Sequence, residues 1–391
     1  MRLLRERMAE LTSTEASDWY CVFKARQAMQ VAFGALGEAT GRSVVVTQPF
    51  TCVTAIDPIL SAGLAVRYGD VSRDTLALDV EQLDLSEEPA AVVLQHTFGI
   101  MSPEADAALV EAAHAAGALV VEDCAHCVGR MARGGDGTPL ADVSVHSFGV
   151  EKMLAGVYFG SAMWVSPSLE ARVRERIVGA LEALPALDKA RARAAERYRN
   201  QIRVLTRLPK GVSVALRSRW EKSGAFEPAV ADMERRGRVK GTPALPSAWV
   251  CTQATAALAG IAENERGRRE CVRAYLDAFG DDGTRLLGVP RSVTQGEVQP
   301  LLRMPVFMPD TQKADAALAA CGRLGFYGQP WPRPLLLPGV IDEGAYGCEG
   351  GFACPVSERL SECVAALPTD IEPDGAVEVA KACLELARGG I

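Results

Sequence analysis

The residues able to do chemistry concentrate in two short stretches. In Val120-Val121-Glu122-Asp123-Cys124-Ala125-His126 an apolar run ends abruptly in two carboxylates; a second run, Val143–Ser147, is followed five residues later by Lys152. A lysine emerging beside a sheet edge, near an aspartate held in the interior, is the pair a Schiff-base cofactor needs. The amine forms an imine with an aldehyde, and the carboxylate keeps a pyridine nitrogen protonated so that the ring accepts electrons. Each residue alone also has a plainer use, Asp123 as a helix N-cap and Lys152 as a surface lysine. Spacing by itself leaves these alternatives open.

The scaffold that must position them is legible between Ser43 and Val165. Short apolar runs at Ser43–Thr47, Ala65–Tyr68, Ala90–Gln95, Ala118–Glu122, Val143–Ser147 and Ala162–Val165 alternate with helix-period segments at Thr51–Ala62 and Pro103–Ala116. Apolar strands without polar alternation, separated by helices, predict a mostly parallel sheet covered on both faces. Such sheets bind ligands beyond the carboxyl ends of their strands. That places Gln48–Cys52, His96–Gly99, Asp123–Gly129 and Ser147–Lys152 at the expected site.

Beyond Ser166 the spacing predicts helices over Leu169–Leu184 and Pro185–Leu205, the second carrying an arginine run that reads as a solvated face. Lys210–Pro246, basic and punctuated by Pro and Gly, reads as a loop-rich excursion over a site, and Val250–Arg268 as a helix. The last third reads as a small α+β domain: a strand at Leu301–Met308, a Pro-rich strand or turn at Pro330–Pro338, and helices at Lys313–Leu324, Ser357–Leu367 and Ala376–Arg388.

Composition narrows the function classes. The 391 residues are 48% apolar, and 42 basic against 49 acidic side chains leave a net charge of −7, which offers no pull toward nucleic acid or an anionic membrane. The first ten residues lack a secretory apolar segment and no apolar run has bilayer length, so a cytoplasmic location is expected. The 11 scattered cysteines suit reduced, buried thiols rather than disulfides. Cys124, His126 and Cys127 put donor atoms at short spacing, with Cys348 and Cys354 as remote candidates to complete a set. No second matched pair accompanies them, and no metal is expected. Walker loops, dinucleotide fingerprints and Gly-x-Ser-x-Gly elbows are absent.

Taken together, Glu122-Asp123-Cys124-Ala125-His126 and Ser147-Phe148-Gly149-Val150-Glu151-Lys152 resemble, in order and spacing, the Glu-Asp-Ala-Ala-Gln and Ser-Phe-x-x-x-Lys motifs of the DegT-type sugar aminotransferases, which are fold-type I pyridoxal-phosphate (PLP) enzymes. Val46–Cys52, Gly63 with Val71–Leu76, His96-Thr97-Phe98-Gly99 and Ala366-Leu367-Pro368-Thr369 extend the resemblance, which is strongest over residues 20–165, weak over 170–245 and intermediate over 250–391.

The resemblance implies an α/β fold with a seven-stranded-type, mostly parallel sheet in a large cofactor-binding domain, residues 1–268, in which 170–245 diverges, and a small C-terminal α+β domain, residues 269–391. It implies PLP held as an internal aldimine on Lys152, with Asp123 at the pyridine nitrogen, His126 at the ring hydroxyl in place of a Gln, and Ser147 at the phosphate. Where the family has Ser-Gly-Thr ahead of a helix this chain has Lys24-Ala25-Arg26; the amides at Ala25 and Arg26 remain as donors, and the Arg26 guanidinium is expected to clamp the phosphate. Cys52 stands where an aromatic residue stacks on the ring, leaving Phe50 or His96 for that place.

Amino transfer from a donor to a keto-sugar or related carbonyl compound in secondary metabolism, by a homodimer, is the implied function. Two departures keep other readings open. Gly156-Val157-Tyr158-Phe159-Gly160 replaces the family's Gly-Glu-Gly-Gly, and the Asn and Arg that the family sends from a neighbouring subunit are absent around Pro246–Val250. Dehydration, elimination or carbon–carbon bond formation on the same Lys152 and Asp123, or cofactor binding without turnover, are the alternatives.

Overall fold

The computed structural model describes residues 1–389. An initial helix α1 (Arg2–Thr12) precedes β1 (Trp19–Val22) and α2 (Ala25–Thr40); β2 (Val44–Thr47), α3 (Val53–Ser61), β3 (Ala65–Tyr68), β4 (Ala91–Gln95), α4 (Pro103–Ala115), β5 (Leu119–Asp123), β6 (Val143–Ser147) and β7 (Ser161–Val165) follow. They form one seven-stranded sheet of order β1-β7-β6-β5-β4-β2-β3. The five strands β3, β2, β4, β5 and β6 run parallel, while β7 is antiparallel to both β6 and β1. Sequence reading missed β1, whose Trp-Tyr-Cys-Val is too short to show a period.

The sheet is covered on both faces, which explains its unbroken apolar runs. Val45, Val93, Val121, Val145 and Met163 pack with Met29, Phe33 and Leu36 of α2, whereas Val46, Val92, Leu94 and Val120 pack with Leu109 and Val110 of α4. Near the β1 edge, Leu4 and Met8 of α1 pack against Trp19 and Trp164.

The helices α5 (Ala171–Glu182) and α6 (Lys189–Leu205) fall where expected. Lys210–Pro246 is not all loop: α7 (Lys210–Lys222) is a full helix whose side chains are never buried, so no apolar stripe announces it. Then come α8 (Ala248–Leu258) and α9 (Ile261–Leu286). Residue 268 falls inside α9, whose Ile261 joins the core around α1 while Cys271, Val272, Tyr275 and Phe279 join the C-terminal core.

That C-terminal core is built by the one-turn helix α10 (Arg291–Thr294), β8 (Arg303–Phe307), α11 (Thr311–Arg323), α13 (Pro355–Cys363), β9 (Val364–Pro368) and α14 (Pro373–Arg388), whereas the one-turn helix α12 (Glu343–Tyr346) sends Tyr346 into the core around α2 and α3. The helix expected over Ser357–Leu367 is corrected here. It ends at Cys363, because Val364–Pro368 pairs antiparallel with β8 in the register Phe307 opposite Val364; strand pairing overrides the local helical period. Phe50, Val71, Leu76 and Phe98, all from the first hundred residues, also sit in this core, so the two parts interlock around the loops after β2, β3 and β4.

One buried carboxyl group ties these parts together. Asp57 of α3 is fully buried, and the Tyr346 hydroxyl of α12 lies against both its Oδ1 and the Glu234 carbonyl. Burial pushes the Asp57 carboxyl from 3.8 up to about 8. Between those values the folded chain holds a proton that the unfolded chain has released, so the stability from this group is full at low pH and is lost as pH rises through about 8. Asp57→Asn, which keeps the oxygen acceptor and removes the charge, is expected to gain on the parent as pH rises from about 4 to 8, by at least about 1 kcal/mol over that window. Chemical denaturation of both proteins at several pH values checks this; a stability difference that stays flat with pH overturns it.

Candidate active site

Strand register brings the site together. Gln95 lies opposite Asp123, and Asp123 opposite Val145, so the chain leaves β4, β5 and β6 at one edge. Because β7 runs the other way, its first residue Ser161 pairs with both Ser147 and Val22, which delivers the end of β1, and hence the start of α2, to that same edge. The edge opens on a cavity of about 240 Å³ lined by Ala25, Arg26, Asp123, His126, Ser147 and Lys152 together with residues from the C-terminal part. Six of the seven residues singled out from sequence therefore meet.

Phe50 does not meet them. Its ring is fully buried in the C-terminal core, 6.4 Å from the Phe307 ring and 6.2 Å from Trp331, and is not part of the cavity wall. Packing, which the sequence could not show, claims the face that stacking would need. His96 and Cys52 do line the cavity, and so does Trp331, a residue that sequence reading had left inside a Pro-rich turn.

Lys152 sits in the turn after β6, preceded by Glu151 in the left-handed region at φ 57°. Such a conformation in a residue with a Cβ is costly and persists where surroundings enforce it. Here Gln329 Nε2 donates to Glu151 Oε2 at 2.9 Å, pinning the turn. Burial pushes the Lys152 ammonium below its ordinary pKa, against the charges of Cys52 and Asp123, which raises the share of neutral, nucleophilic amine.

Asp123 ends β5 and is buried; its Oδ1 accepts the Ala125 N–H at 2.9 Å. Burial raises its pKa, while the Ala125 bond and the charges of Lys152 and His96 oppose the rise. His126 Nδ1 accepts the Phe98 N–H at 3.0 Å. Burial, helped by Lys152 and Arg303, holds its pKa well below the usual value. The ring is therefore neutral, with its proton on Nε2. The close approach that makes this bond requires Gly99: at φ 85°, a Cβ there would lie 2.7 Å from the His126 carbonyl oxygen.

The 16-residue α2 starts at Lys24 with no side-chain acceptor capping it. The Gln27 and Ala28 N–H groups both bond the Lys24 carbonyl, which leaves the Ala25 and Arg26 amides at the positive end of the helix, on the cavity wall with Ser147. An uncapped helix start beside a hydroxyl fits a phosphate, and the buried amine and carboxylate fit the aldehyde and pyridine nitrogen of the same cofactor.

The Arg26 guanidinium is already engaged. Its Nη1 lies 2.5 Å from Glu234 Oε2 and its Nη2 donates to the Ala229 carbonyl at 2.7 Å. Lys24 Nζ, more deeply buried, lies 2.6 Å from Glu227 Oε1. Burial opposes the charge on Glu234, but Arg26 and Lys24 outweigh it and keep the carboxylate ionised. Glu227 and Glu234 went unnoticed because they lie in the excursion Lys210–Pro246, whose acidic residues carry no motif. The excursion does cover the site: Ala229 and Val230 line the cavity.

This sheet, with an amine, a carboxylate and a helix N-terminus converging at its carboxyl edge, has the fold of the fold-type I PLP-dependent transferases. Residues 19–175 match the profile of the DegT/DnrJ/EryC1/StrS aminotransferase family. No curated protein matches the chain by sequence. Among solved structures, DesI in the presence of its TDP-sugar product is 21% identical with a TM-score of 0.66, over 99% of this chain and 84% of that one. The aminotransferase TlmJ from Streptoalloteichus hindustanus is 21% identical with a TM-score of 0.66, over 97% and 88%. NtdA from Bacillus subtilis with bound PMP is 11% identical with a TM-score of 0.70, over 99% and 77%. At these identities the likeness is one of fold.

Arg26→Ala strands Glu234, which is fully buried, without its guanidinium. The apoprotein is therefore expected to lose about 3–5 kcal/mol, the cost of breaking a buried pair from one side. Arg26→Ala combined with Glu234→Gln should recover most of it. Urea unfolding of the two apoproteins measures both values, and equal losses would show that the pair is not what holds Arg26.

Proposed function

We propose that the protein transfers an amino group from an amino donor to the carbonyl of a keto-sugar or related small compound in secondary metabolism, acting as a cytoplasmic homodimer. The observation that carries this reading is the convergence of Lys152, Asp123, Ser147 and the start of α2 on one cavity. When bound, PLP supplies the electron sink that makes the carbon–hydrogen bond of the donor acidic.

The chain's own groups do the rest. Lys152 Nζ would hold the cofactor and, freed by the donor, would carry the proton that the transfer moves; its depressed pKa raises the share of neutral amine able to act as a base. Asp123, buried and fixed by the Ala125 N–H, would hold the pyridine nitrogen and keep it protonated. His126 would offer Nε2–H to the ring hydroxyl, since its Nδ1 is committed to Phe98. The Ala25 and Arg26 amides and the Ser147 hydroxyl would receive the phosphate, and the Arg26 guanidinium, held by Glu234, would add positive charge nearby.

With an amino-acid donor, the purified holoprotein is expected to shift its absorbance to the pyridoxamine form and to return on adding a carbonyl acceptor. A donor that bleaches no cofactor absorbance, or an elimination product in place of the keto acid, overturns amino transfer. Lys152→Ala should lower turnover by at least roughly 100-fold and lose borohydride-fixable cofactor, while its circular dichroism stays that of the parent. Retained fixation would move the attachment to another lysine. Asp123→Asn should reduce activity per bound cofactor more than it reduces occupancy; the reverse order would make Asp123 a structural residue only.

A further inference from the structure

Behind the cavity floor lies a second cluster that the transfer chemistry does not use. His96, Cys124 and Cys127 place one ring nitrogen and two thiol sulfurs within 4.8 Å of one another, and all three residues are buried. Cys124 and Cys127 are the ends of a Cys-x-x-Cys turn closed by the Cys127 N–H to the Cys124 carbonyl at 3.1 Å. His96 comes from the neighbouring strand end, 28 residues before Cys124. The remote cysteines considered earlier do not approach: Cys348 packs in the core around α2 and α3. The third donor is instead a histidine that only the fold brings into place.

We infer that His96, Cys124 and Cys127 bind a thiophilic divalent cation, zinc being the one their donor set suits best. Two sulfurs and an imidazole are the soft donor set that selects zinc over magnesium or calcium. Bonds of about 2.3 Å to sulfur and 2.0–2.1 Å to nitrogen put tetrahedral donors roughly 3.4–3.8 Å apart. Side-chain rotations closing the present spacing by at most about 1.4 Å would therefore bring the three donors to those distances.

The surroundings already orient the histidine. Its Nε2 lies 2.7 Å from Glu122 Oε1, and Glu122 also accepts the Ala132 N–H at 2.5 Å and the Ser144 hydroxyl. A carboxylate holding one ring nitrogen leaves Nδ1 as the ligand, the arrangement by which ligating histidines are commonly fixed. Zinc displaces two protons from the trio and leaves two thiolates against a dication, which cancels charge in an interior that would otherwise isolate it. The site's position gives it a role: Cys124 follows Asp123 and Cys127 follows His126, so a bound cation would fix the turn that carries both cofactor-facing residues.

The test uses the whole holoprotein, produced with added zinc and dialysed before elemental analysis. About one zinc per chain is expected for the parent, with at least a roughly tenfold fall in Cys127→Ser and in Cys124→Ser. Glu122→Gln should keep the ligands yet weaken zinc by roughly 10–100-fold in competition with a chromophoric chelator, because the ring is no longer held. Should the variants fail to fold, cobalt added to chelator-treated parent protein reads the same site by a sulfur-to-cobalt charge-transfer band. Parent protein that takes up neither zinc nor cobalt overturns the inference. So does metal that persists undiminished in Cys127→Ser. An intact mass lower by two hydrogens on metal-free protein, with a Cys124–Cys127 disulfide in its peptides, also overturns it.

Discussion

The register of β4, β5 and β6 is the constraint on which the site depends. Parallel strands in register end together, and Gln95, Asp123 and Val145 stand side by side, so whatever follows each strand is delivered to one edge without any long loop. The antiparallel β7 then adds a consequence that a wholly parallel sheet would lack. By pairing Ser161 with both Ser147 and Val22 it turns the chain's first strand toward the same edge and aims α2 at the cavity with its amides leading. An anion site made of backbone N–H groups tolerates wide variation in side chains, which is how Lys24-Ala25-Arg26 can stand at a helix start still suited to phosphate.

That helix start carries an unusual electrostatic load. Two cations, the buried Lys24 and the partly buried Arg26, meet two buried carboxylates, Glu227 and Glu234, within one small region. Buried pairs cost desolvation on both sides and stabilise little relative to an apolar substitute, whereas removing one partner is expensive. Their effect is therefore on placement more than on stability. The segment around Ala229 and Val230 has no strand or long helix to anchor it over the cavity, and the ion pairs, with the Ala231 N–H bonded to Glu234 at 2.8 Å, supply the anchor.

How much of this the sequence disclosed follows from the range of each interaction. Sheet strands and the helices between them were readable because their periodicities are local; Asp123, Ser147 and Lys152 were readable because each sits at a fixed offset from an apolar run. The burial of Phe50 was not, since it depends on β8 and on Trp331, both some 250 residues or more away in the chain. Neither were β9 and α7. The first is a strand only because β8 accepts it, and the second is a helix without an apolar stripe. Glu227, Glu234 and Trp331 reach the site through tertiary packing, which no spacing rule reports.

The two adjacent carboxylates at the end of β5 show how finely the register works. Successive side chains of a strand point to opposite faces. Glu122 turns toward Ser144, with which it is paired across the sheet, and meets His96; Asp123 turns the other way, into the cavity. Their chemistry separates accordingly. Burial penalises both charges, but at Glu122 the imidazole, an amide and a hydroxyl outweigh it and keep the carboxylate ionised, whereas at Asp123 burial prevails and raises the pKa. A slip of β5 by one residue would exchange the two environments and also turn Val120 and Val121 to each other's packing layer, so the same apolar contacts that hold the sheet in register select which acid faces the cofactor cavity.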